Sequence, residues 1–210
     1  ESAWRGLKFL VDRTNFRQNI KIEILNVSKA ELQSDFEDVP EPVLSGLYEH
    51  VYNQEYDTPG GEPIGAMIGN YEFDSSPQDL TLLQNLSKVA AAGHCPFIAA
   101  TNPKFFGLDS IEKLSSITDL EPIFDQAKYA KWRAFRESED SRYIGLTVPR
   151  FALRLPYDPE NNPVKGFNYV EDVKAEDHDS YLWGNASFAM AANMTRSFAD
   201  NGWCVQIRGP

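Results

Sequence analysis

The sequence of 210 residues predicts an α/β fold in which a mixed or parallel sheet is flanked by helices. Two patterns support this class: apolar runs typical of strands alternate along the chain with amphipathic helical periods, and several helical periods begin with capping residues. The composition agrees, because 42% hydrophobic and 24% charged residues are ordinary values for a globular protein with a sizeable core.

The first elements are a helix, a strand and a second helix. Apolar residues recur on one face of residues 2–12, which predicts an amphipathic helix. Residues 20–27 read IKIEILNV and alternate isoleucine with charged residues, a pattern typical of a strand with one buried face. Ser28 and Glu31 have the spacing of a capping box, so a helix should begin here.

A third helix and a second strand come next. Val43, Leu47 and Val51 recur every four residues and predict a helix that ends near Asn53. A glycine-containing apolar run over residues 64–71 predicts a buried strand.

The following helix has the clearest local signals in the chain. Ser76 is suited to the N-cap, a proline follows at the first helical position, and Asp79 complements the helix dipole. These signals and an apolar stripe predict a helix over Pro77–Ala92, which Gly93 would end in the left-handed conformation. Residues 95–100 then read as a short buried strand.

The second half of the chain is more irregular at first. Short helical patterns over residues 101–142 predict a helical insertion, and residues 142–148 return to a strand pattern. An alanine-rich helix is predicted over residues 183–201, with Gly202 ending it before a last strand over residues 204–208.

Charge and cysteine content limit the possible partners and the compartment. The formal net charge is −11, and the basic residues occur singly and mostly beside acids, so no positive stripe is available for nucleic acid. Cys95 and Cys204 fit free thiols in a reducing cytosol better than a disulfide framework. No apolar run approaches the roughly 20 residues that cross a bilayer, so membrane insertion is not expected.

The glycine-rich stretch that begins at Gly60 raises the possibility of a nucleotide site. Gly60 and Gly65 have the spacing of a phosphate-binding loop, but Ala66 and Met67 follow where the chemistry needs lysine and a hydroxyl residue. The glycines also precede and occupy a predicted strand instead of following one. We therefore interpret Gly65 and Gly69 as positions of close backbone packing.

Two further clusters could suggest chemistry. His94 and Cys95 are adjacent, but neighbouring residues that enter a strand point to opposite faces, so a buried thiol is the favoured interpretation. Residues 176–180 read EDHDS, which has a single histidine and no second ligand at metal spacing, so a solvated loop is favoured. No catalytic, cofactor-binding or metal-binding residue is predicted.

A mixed-charge segment is the strongest candidate for a functional surface. Arg133 could pair with Glu137, and Arg136 with Asp140, across one helical turn. Exposed pairs of this kind stabilise a helix by about 0–1 kcal/mol, whereas dense mixed charge also suits docking to another charged surface. The alternative is that Arg136 or Arg142 is a buried structural arginine. The candidate assembly interface consists of Arg133, Arg136, Glu137, Glu139, Asp140 and Arg142.

Several stretches resemble one protein family, and they occur in the family's order along essentially all 210 residues. The family is the large sheath subunit of the type VI secretion system, TssC/VipB/ImpC/EvpB. Asn70 and Ser75 depart from the Asp and His expected in many members, which bears on the subfamily. The matching stretches are AWRGLKFLV, KIEILNVSKAEL, YDTPGGEPIGAMIGNYEFDSSPQDLTLL, AAAGHCPFIAA, RESEDSRYIGLTVPRFALRLPY and NMTRSFADNGWCVQIRG.

The resemblance implies a mechanical role in the bacterial cytoplasm. It implies a phage-tail-sheath-like α/β domain over residues 1–210, within a chain that extends further on both sides. Such subunits pair with a small sheath protein (TssB/VipA), form a helical tube around an inner tube of Hcp, contract to deliver effectors, and are recycled by a ClpV-type ATPase. It implies no catalytic residue and no cofactor. The alternative that the sequence leaves open is an α/β enzyme with a nucleotide or small-molecule pocket.

Overall fold

The computed structural model describes residues 1–174 and 177–208. The chain divides into two compact units: one combines Glu1–Ile20 with Val148–Pro210, and the other is Lys21–Thr147. We call them the terminal unit and the central unit.

The central unit is built on a three-stranded parallel sheet. Its strands are β1 (Met67–Phe73), β2 (Phe97–Thr101) and β3 (Ile144–Thr147), in the order β1-β2-β3. The middle strand is buried along its whole length, as expected when both faces of a parallel sheet are covered. The predicted α/β fold with helices flanking a sheet is confirmed.

Helices α1 to α4 were all predicted, with differences in detail. They are α1 (Ser2–Arg13), α2 (Lys29–Glu37), α3 (Gly46–Tyr48) and α4 (Pro77–Ala92). The capping box before α2 is present as predicted. The helix predicted through Asn53 is confirmed in extent, but it combines a 3-10 turn, α3 and a π-helical segment over Glu49–Gln54.

Helix α4 carries much of the central core. Its predicted bounds are confirmed, and the Ser76 hydroxyl accepts a hydrogen bond from the Asp79 amide at 3.3 Å. Its leucines and valine pack into the main hydrophobic cluster with β1 and β2. The cluster is formed by Leu32, Phe36, Leu47, Val51, Phe73, Leu80, Leu82, Leu83, Leu86, Val89, Ala90, Cys95, Phe97, Ala99 and Phe135.

The end of α4 differs from the prediction. Gly93 keeps a negative φ of −80°, and His94 adopts the left-handed conformation at φ 50°. The Gly93 amide still donates to the Val89 carbonyl at 3.0 Å, so the chain reverses one residue later than expected. A Cβ at Gly93 would lie 3.0 Å from Val51, so close packing explains the glycine.

The prediction of a strand over residues 20–27 is wrong, because the described chain has no strand there. No strand and no backbone–backbone hydrogen bond involves these residues within the part of the chain that the structure describes. A β-strand needs a neighbouring segment that completes its hydrogen-bond ladder, and no described segment does so here.

Short helices connect β2 to β3, in agreement with the helical pattern predicted there. Two are α-helical, α5 (Glu121–Phe124) and α6 (Ala130–Glu137). Four 3-10 segments accompany them: Pro103–Phe106, Ile111–Ser116, Ala127–Tyr129 and Glu139–Tyr143. Their rings form one aromatic cluster, in which the buried Tyr129 hydroxyl donates to the Phe105 carbonyl at 2.9 Å.

The terminal unit combines two helices with a short two-stranded sheet. Strands β4 (Phe151–Ala152) and β5 (Trp183–Gly184) are antiparallel, and α7 (Ala186–Asn201) follows β5. Short 3-10 turns lie at Phe16–Gln18 and His178–Ser180. A Cβ on Gly6 of α1 would lie 2.4 Å from the Phe188 ring of α7, so glycine permits close packing of these helices.

Helix α7 begins three residues later than predicted, because residues 183–184 pair with β4 and Asn185 caps the helix. Ala186 is buried on this helix, and Met190, Met194 and Phe198 are half-buried. Gly202 ends the helix at φ 70°, as predicted. The strand predicted over residues 204–208 is wrong, since no strand occurs in this described segment.

Candidate functional site

The predicted interface residues lie on α6 and on the 3-10 segment that leads into β3. Trp132 and Phe135 anchor α6 on the core, which turns its charged residues outward. The helix stops at Ser138, whose hydroxyl donates to the Phe135 carbonyl at 2.6 Å. The Ser141 hydroxyl likewise donates to the Arg136 carbonyl at 3.0 Å. These hydroxyls satisfy carbonyls at the helix end and hold the turn in place.

Arg133 has a structural role that the charge pattern did not predict. Its guanidinium donates to the carbonyls of Phe124 at 2.6 Å and Gln126 at 2.9 Å. It therefore ties the end of α5 to α6 and satisfies carbonyls that lack helical partners. The predicted ion pair between Arg133 and Glu137 is wrong, since no such pair forms among the described residues.

The remaining charged residues of the segment are open to solvent. Arg136 and Glu137 are exposed, Asp140 is half-buried, and the predicted pair between Arg136 and Asp140 is absent from the described part of the chain. Arg142 instead lies 3.5 Å from Glu139, and both side chains are mostly exposed. The alternative of a buried Arg136 or Arg142 is therefore wrong. These side chains remain available to a partner.

A row of aromatic rings lies beside this segment, and it was not predicted from the sequence. The rings of Tyr48, Tyr52 and Tyr56 follow one another at centroid distances of 5.0 and 5.4 Å. The row continues to His94 at 5.7 Å and then to Tyr143 at 6.2 Å. The Tyr143 hydroxyl lies 3.1 Å from the His94 Nδ1 atom. We call these five residues the aromatic row.

Arg142 joins the aromatic row to the charged segment. Its guanidinium carbon lies 5.3 Å from the centre of the Tyr143 ring, within the range of a cation–π contact. Tyr56 and His94 are exposed. Tyrosine and arginine are enriched where proteins bind one another, because they combine large contact area with hydrogen-bonding groups. The arrangement suits protein docking.

The glycine-rich stretch does not form a phosphate cradle between a strand and a helix. Gly60 has a φ of 88°, and no atom lies within 4 Å of the position of an added Cβ. Gly61 lies in a turn, where an added Cβ would be 2.6 Å from the Glu55 carbonyl oxygen. The packing interpretation is confirmed at Gly69, where a Cβ would lie 2.7 Å from the Phe97 ring. It is wrong at Gly65, which precedes β1 and has open space around it.

Gly69→Ala is expected to destabilise the protein by about 1–3 kcal/mol, because the added methyl group displaces the Phe97 ring from a packed core. Gly65→Ala is the matched control, and it should be neutral or slightly stabilising because the site is open. Denaturant unfolding of both variants in the full-length protein measures the difference. Equal stability of the two variants would contradict the assigned packing.

The adjacent His94 and Cys95 do not form a reactive pair. The His94 ring faces Tyr143, whereas Cys95 is buried in the hydrophobic cluster. Burial raises the pKa of the Cys95 thiol to about 11, so the thiol stays protonated at neutral pH. The favoured interpretation of a core thiol is confirmed. Cys204 is also free and is half-buried.

The EDHDS loop is described from Asp177 onward, since Glu176 lies outside the described residues. Asp177 accepts a hydrogen bond from the Asp179 amide at 3.2 Å, and the His178 ring stacks on Trp183. Among the described residues, no group of three potential ligands could hold a metal ion. None of the described helices is both long and apolar enough to cross a bilayer.

Comparison with known proteins gives two concordant matches. Residues 1–210 match the family model described as VipB: EvpB/VC_A0108, tail sheath N-terminal domain. The chain is also 46% identical over 211 residues to the type VI secretion system sheath protein TssC1 of Pseudomonas aeruginosa. All of this chain is covered, and it spans 42% of that relative's length. The chain therefore belongs to the VipB family of tail sheath proteins, and it matches the family's N-terminal domain.

Proposed function

We propose that this chain is part of the large subunit of a type VI secretion contractile sheath. In this role it pairs with the small sheath subunit, and the pairs stack into a helical tube. The observation that carries the proposal is the 46% identity to a type VI sheath protein along the whole of this chain. An identity of this size along a whole domain supports a shared role as well as a shared fold.

The family resemblance extends the proposal to the working cycle. The assembled sheath surrounds an inner tube of Hcp in the bacterial cytoplasm, and its contraction drives that tube and its effectors outward. A ClpV-type ATPase then disassembles the contracted sheath. The chain acts by changing how subunits dock, so it requires no catalytic group of its own.

The charged segment of α6 and the following turn is proposed as one assembly contact, together with the neighbouring aromatic row. Arg136, Glu137, Glu139 and Arg142 are exposed. Glu139 and Arg142 lie 3.5 Å apart, whereas no ion pair among the described residues involves Arg136 or Glu137. Complementary charges on a docking subunit would fix the register of the contact and exclude wrong registers. Arg133 stabilises this surface, because its hydrogen bonds to the carbonyls of Phe124 and Gln126 tie α6 to the end of α5.

An enzyme with a nucleotide pocket is the alternative, and it predicts a different binding result. Titration calorimetry of the full-length protein with ATP, GTP and NAD should show no site tighter than the millimolar range, or about −4 kcal/mol. The reason is that Ala66 and Met67 stand where a phosphate loop needs lysine and a hydroxyl residue. A stoichiometric micromolar site would favour the enzyme.

The proposed pairing is tested by co-expression of the full-length protein with the small sheath subunit of the same secretion system. We expect the two chains to co-purify on a tag carried by the small subunit, and to elute together in size exclusion. A chain that folds normally but does not associate with the small subunit would overturn the proposed function.

A further inference from the structure

Helix α1 carries apolar residues on two of its sides. Gly6 and Leu10 are buried on one side, and Gly6 packs closely on α7. On another side Trp4, Leu7 and Val11 recur at intervals of three and four residues, which is the spacing of a single helical face. We call Trp4, Leu7 and Val11 the α1 stripe.

The α1 stripe is open to solvent although its residues are large and apolar. Trp4 is 78% exposed and Val11 is 42% exposed, while Leu7 is half-buried between them. A tryptophan side chain removes about 150–250 Å² of surface from water when it is buried, so it stabilises a fold mainly under a cover. A helix that is apolar on more than one side is usually packed by more than one neighbour. The stripe is therefore suited to a second layer beyond α7.

The terminal unit as a whole has a small hydrophobic core. The main hydrophobic cluster lies wholly within the central unit. Most of the exposed large hydrophobic side chains of the described chain belong instead to the terminal unit, although it is the smaller of the two. Two helices and a two-stranded sheet bury too little apolar surface to form a stable core without a further layer. The buried hydrophobic residues of the terminal unit are Leu10, Ala186, Phe188, Ala191 and Ala192.

The rest of the same polypeptide is the best-supported source of that layer. The matching family model describes an N-terminal domain, and this chain spans 42% of the length of the TssC1 relative. More than half of a protein of that length therefore lies outside the present residues. A segment tethered to the same chain acts at an effective concentration of about millimolar when the linker is short. A separate chain instead bears the full entropy loss of association, so the tethered segment is favoured.

We propose that the α1 stripe is the docking site for a segment of the same polypeptide that follows residue 210. This segment presents an apolar face to the stripe and completes the core of the terminal unit. Lys8 and Asp12 pair at 2.9 Å beside the stripe, and both side chains are exposed. They form a polar rim next to an apolar centre, as in packed protein interfaces. The contact lies within one subunit, so it forms before any other chain binds.

Site-specific photo-crosslinking tests the proposal on the full-length protein, expressed without the small sheath subunit. A photoreactive phenylalanine analogue replaces Val11, and an equal mixture of isotopically heavy and light protein is irradiated. We expect crosslinked peptides that join α1 to a segment beyond residue 210 and carry a single isotope throughout. Peptides that combine both isotopes would identify a second copy of the chain as the partner and would overturn the proposal. The absence of any crosslink would also overturn it.

A control position tests whether the crosslink is specific to the α1 stripe. The same analogue at Glu160, an exposed polar position in the same unit, should not reach the segment that crosslinks to Val11. Crosslinks from both positions to the same segment would overturn the proposal, because the segment would then have no fixed docking site.

Alanine variants of the full-length protein add an independent measurement. Alanine is the best helix former, so Trp4→Ala with Val11→Ala would leave the melting temperature unchanged or raise it if the stripe were open. Under a packed cover the same changes create a cavity, and we expect the melting temperature to fall by at least about 5 °C. The control is Val43→Ala with Leu44→Ala, an aliphatic pair that is 46% and 62% exposed in the central unit and should melt normally. Equal melting of the two double variants would overturn the proposal.

The outcomes separate this inference from the proposed function. A crosslink within one chain, in a protein that does not associate with the small sheath subunit, removes the proposed function and supports the inference. Association with the small subunit, without a crosslink within one chain from Val11, removes the inference and supports the proposed function.

Discussion

Reversing two charges, Glu137→Lys with Glu139→Lys, is expected to abolish or shorten sheaths while leaving the melting temperature of the full-length protein nearly unchanged. Both residues are exposed, and Glu137 is the last residue of α6. A lysine there is favourable to the helix dipole, so folding should tolerate it. The Glu139→Lys change removes only an exposed ion pair with Arg142, and exposed ion pairs contribute little to folding stability.

The effect on assembly should be much larger than the effect on folding. A docked surface excludes water, so reversing a charge sets like charges against each other at short range and can cost several kcal/mol per contact. The contact repeats at every subunit of a helical tube, so even a modest loss per contact prevents long sheaths. Electron microscopy of sheath length and a thermal melt of the same preparation give the two readouts.

A control variant tests whether the effect depends on the position of the reversed charges or only on the change in net charge. Glu112→Lys with Glu160→Lys alters the net charge equally at two exposed residues outside the candidate interface. This control should form sheaths of normal length. Normal sheaths in the Glu137 and Glu139 variant, or a large drop in its melting temperature, would show that the segment is not an assembly surface.

Asp79→Ala is expected to be the most destabilising single change in the polar part of the central unit. The residue is only 6% exposed, although it carries a carboxylate. One oxygen of that carboxylate lies 2.6 Å from the Lys29 ammonium and accepts the Asp74 amide at 2.7 Å. Its removal leaves a half-buried ammonium and a backbone amide without their acceptor, so we expect a loss of about 3 kcal/mol in unfolding free energy.

A loss of this size lowers the melting temperature by about 6–12 °C for a protein of this size. Asp12→Ala is the matched control, because it also removes a carboxylate from a lysine pair, with Lys8 at 2.9 Å, but at an exposed site. That change should cost less than about 1 kcal/mol. Lys29→Met combined with Asp79→Leu should recover part of the loss, since no unpaired charge remains. Equal melting of the Asp79 and Asp12 variants would contradict the assigned role.

Elements with local signals in the sequence were predicted correctly. The bounds of α4 followed from Ser76, a proline and an apolar stripe, all within one short stretch. The capping box before α2 was equally local. The left-handed residue after α4 was predicted at Gly93 but is His94. The reason is that the packing of Val51 against Gly93 is a tertiary contact, which no local sequence pattern indicates.

The candidate surface was predicted only in part, for the same reason. Tyr48 and Tyr52 lie four residues apart inside a predicted helix, and Tyr56 continues this spacing just beyond its end, so that part of the aromatic row had a local signal. His94 and Tyr143 are 49 residues apart, and they meet because each precedes one of two neighbouring parallel strands. Parallel strands begin at the same edge of a sheet, which requires knowledge of the strand order.

The predicted ion pairs do not form for a different physical reason. The spacing of Arg133 and Glu137 permits an ion pair, but exposed pairs are weak, and two backbone carbonyls at the end of α5 offer Arg133 better acceptors. The strand predicted over residues 20–27 is absent for another reason. Its alternating pattern is typical of a strand, but no described segment forms a hydrogen-bond ladder with it.

Electron microscopy of the full-length protein co-expressed with the small sheath subunit tests whether the protein forms a sheath. We expect helical tubes with a hollow lumen, in which both chains are present in equal numbers and neither chain alone forms tubes. A folded, discrete protein that forms no tube with the small subunit, under conditions in which the P. aeruginosa sheath chains assemble, would contradict it.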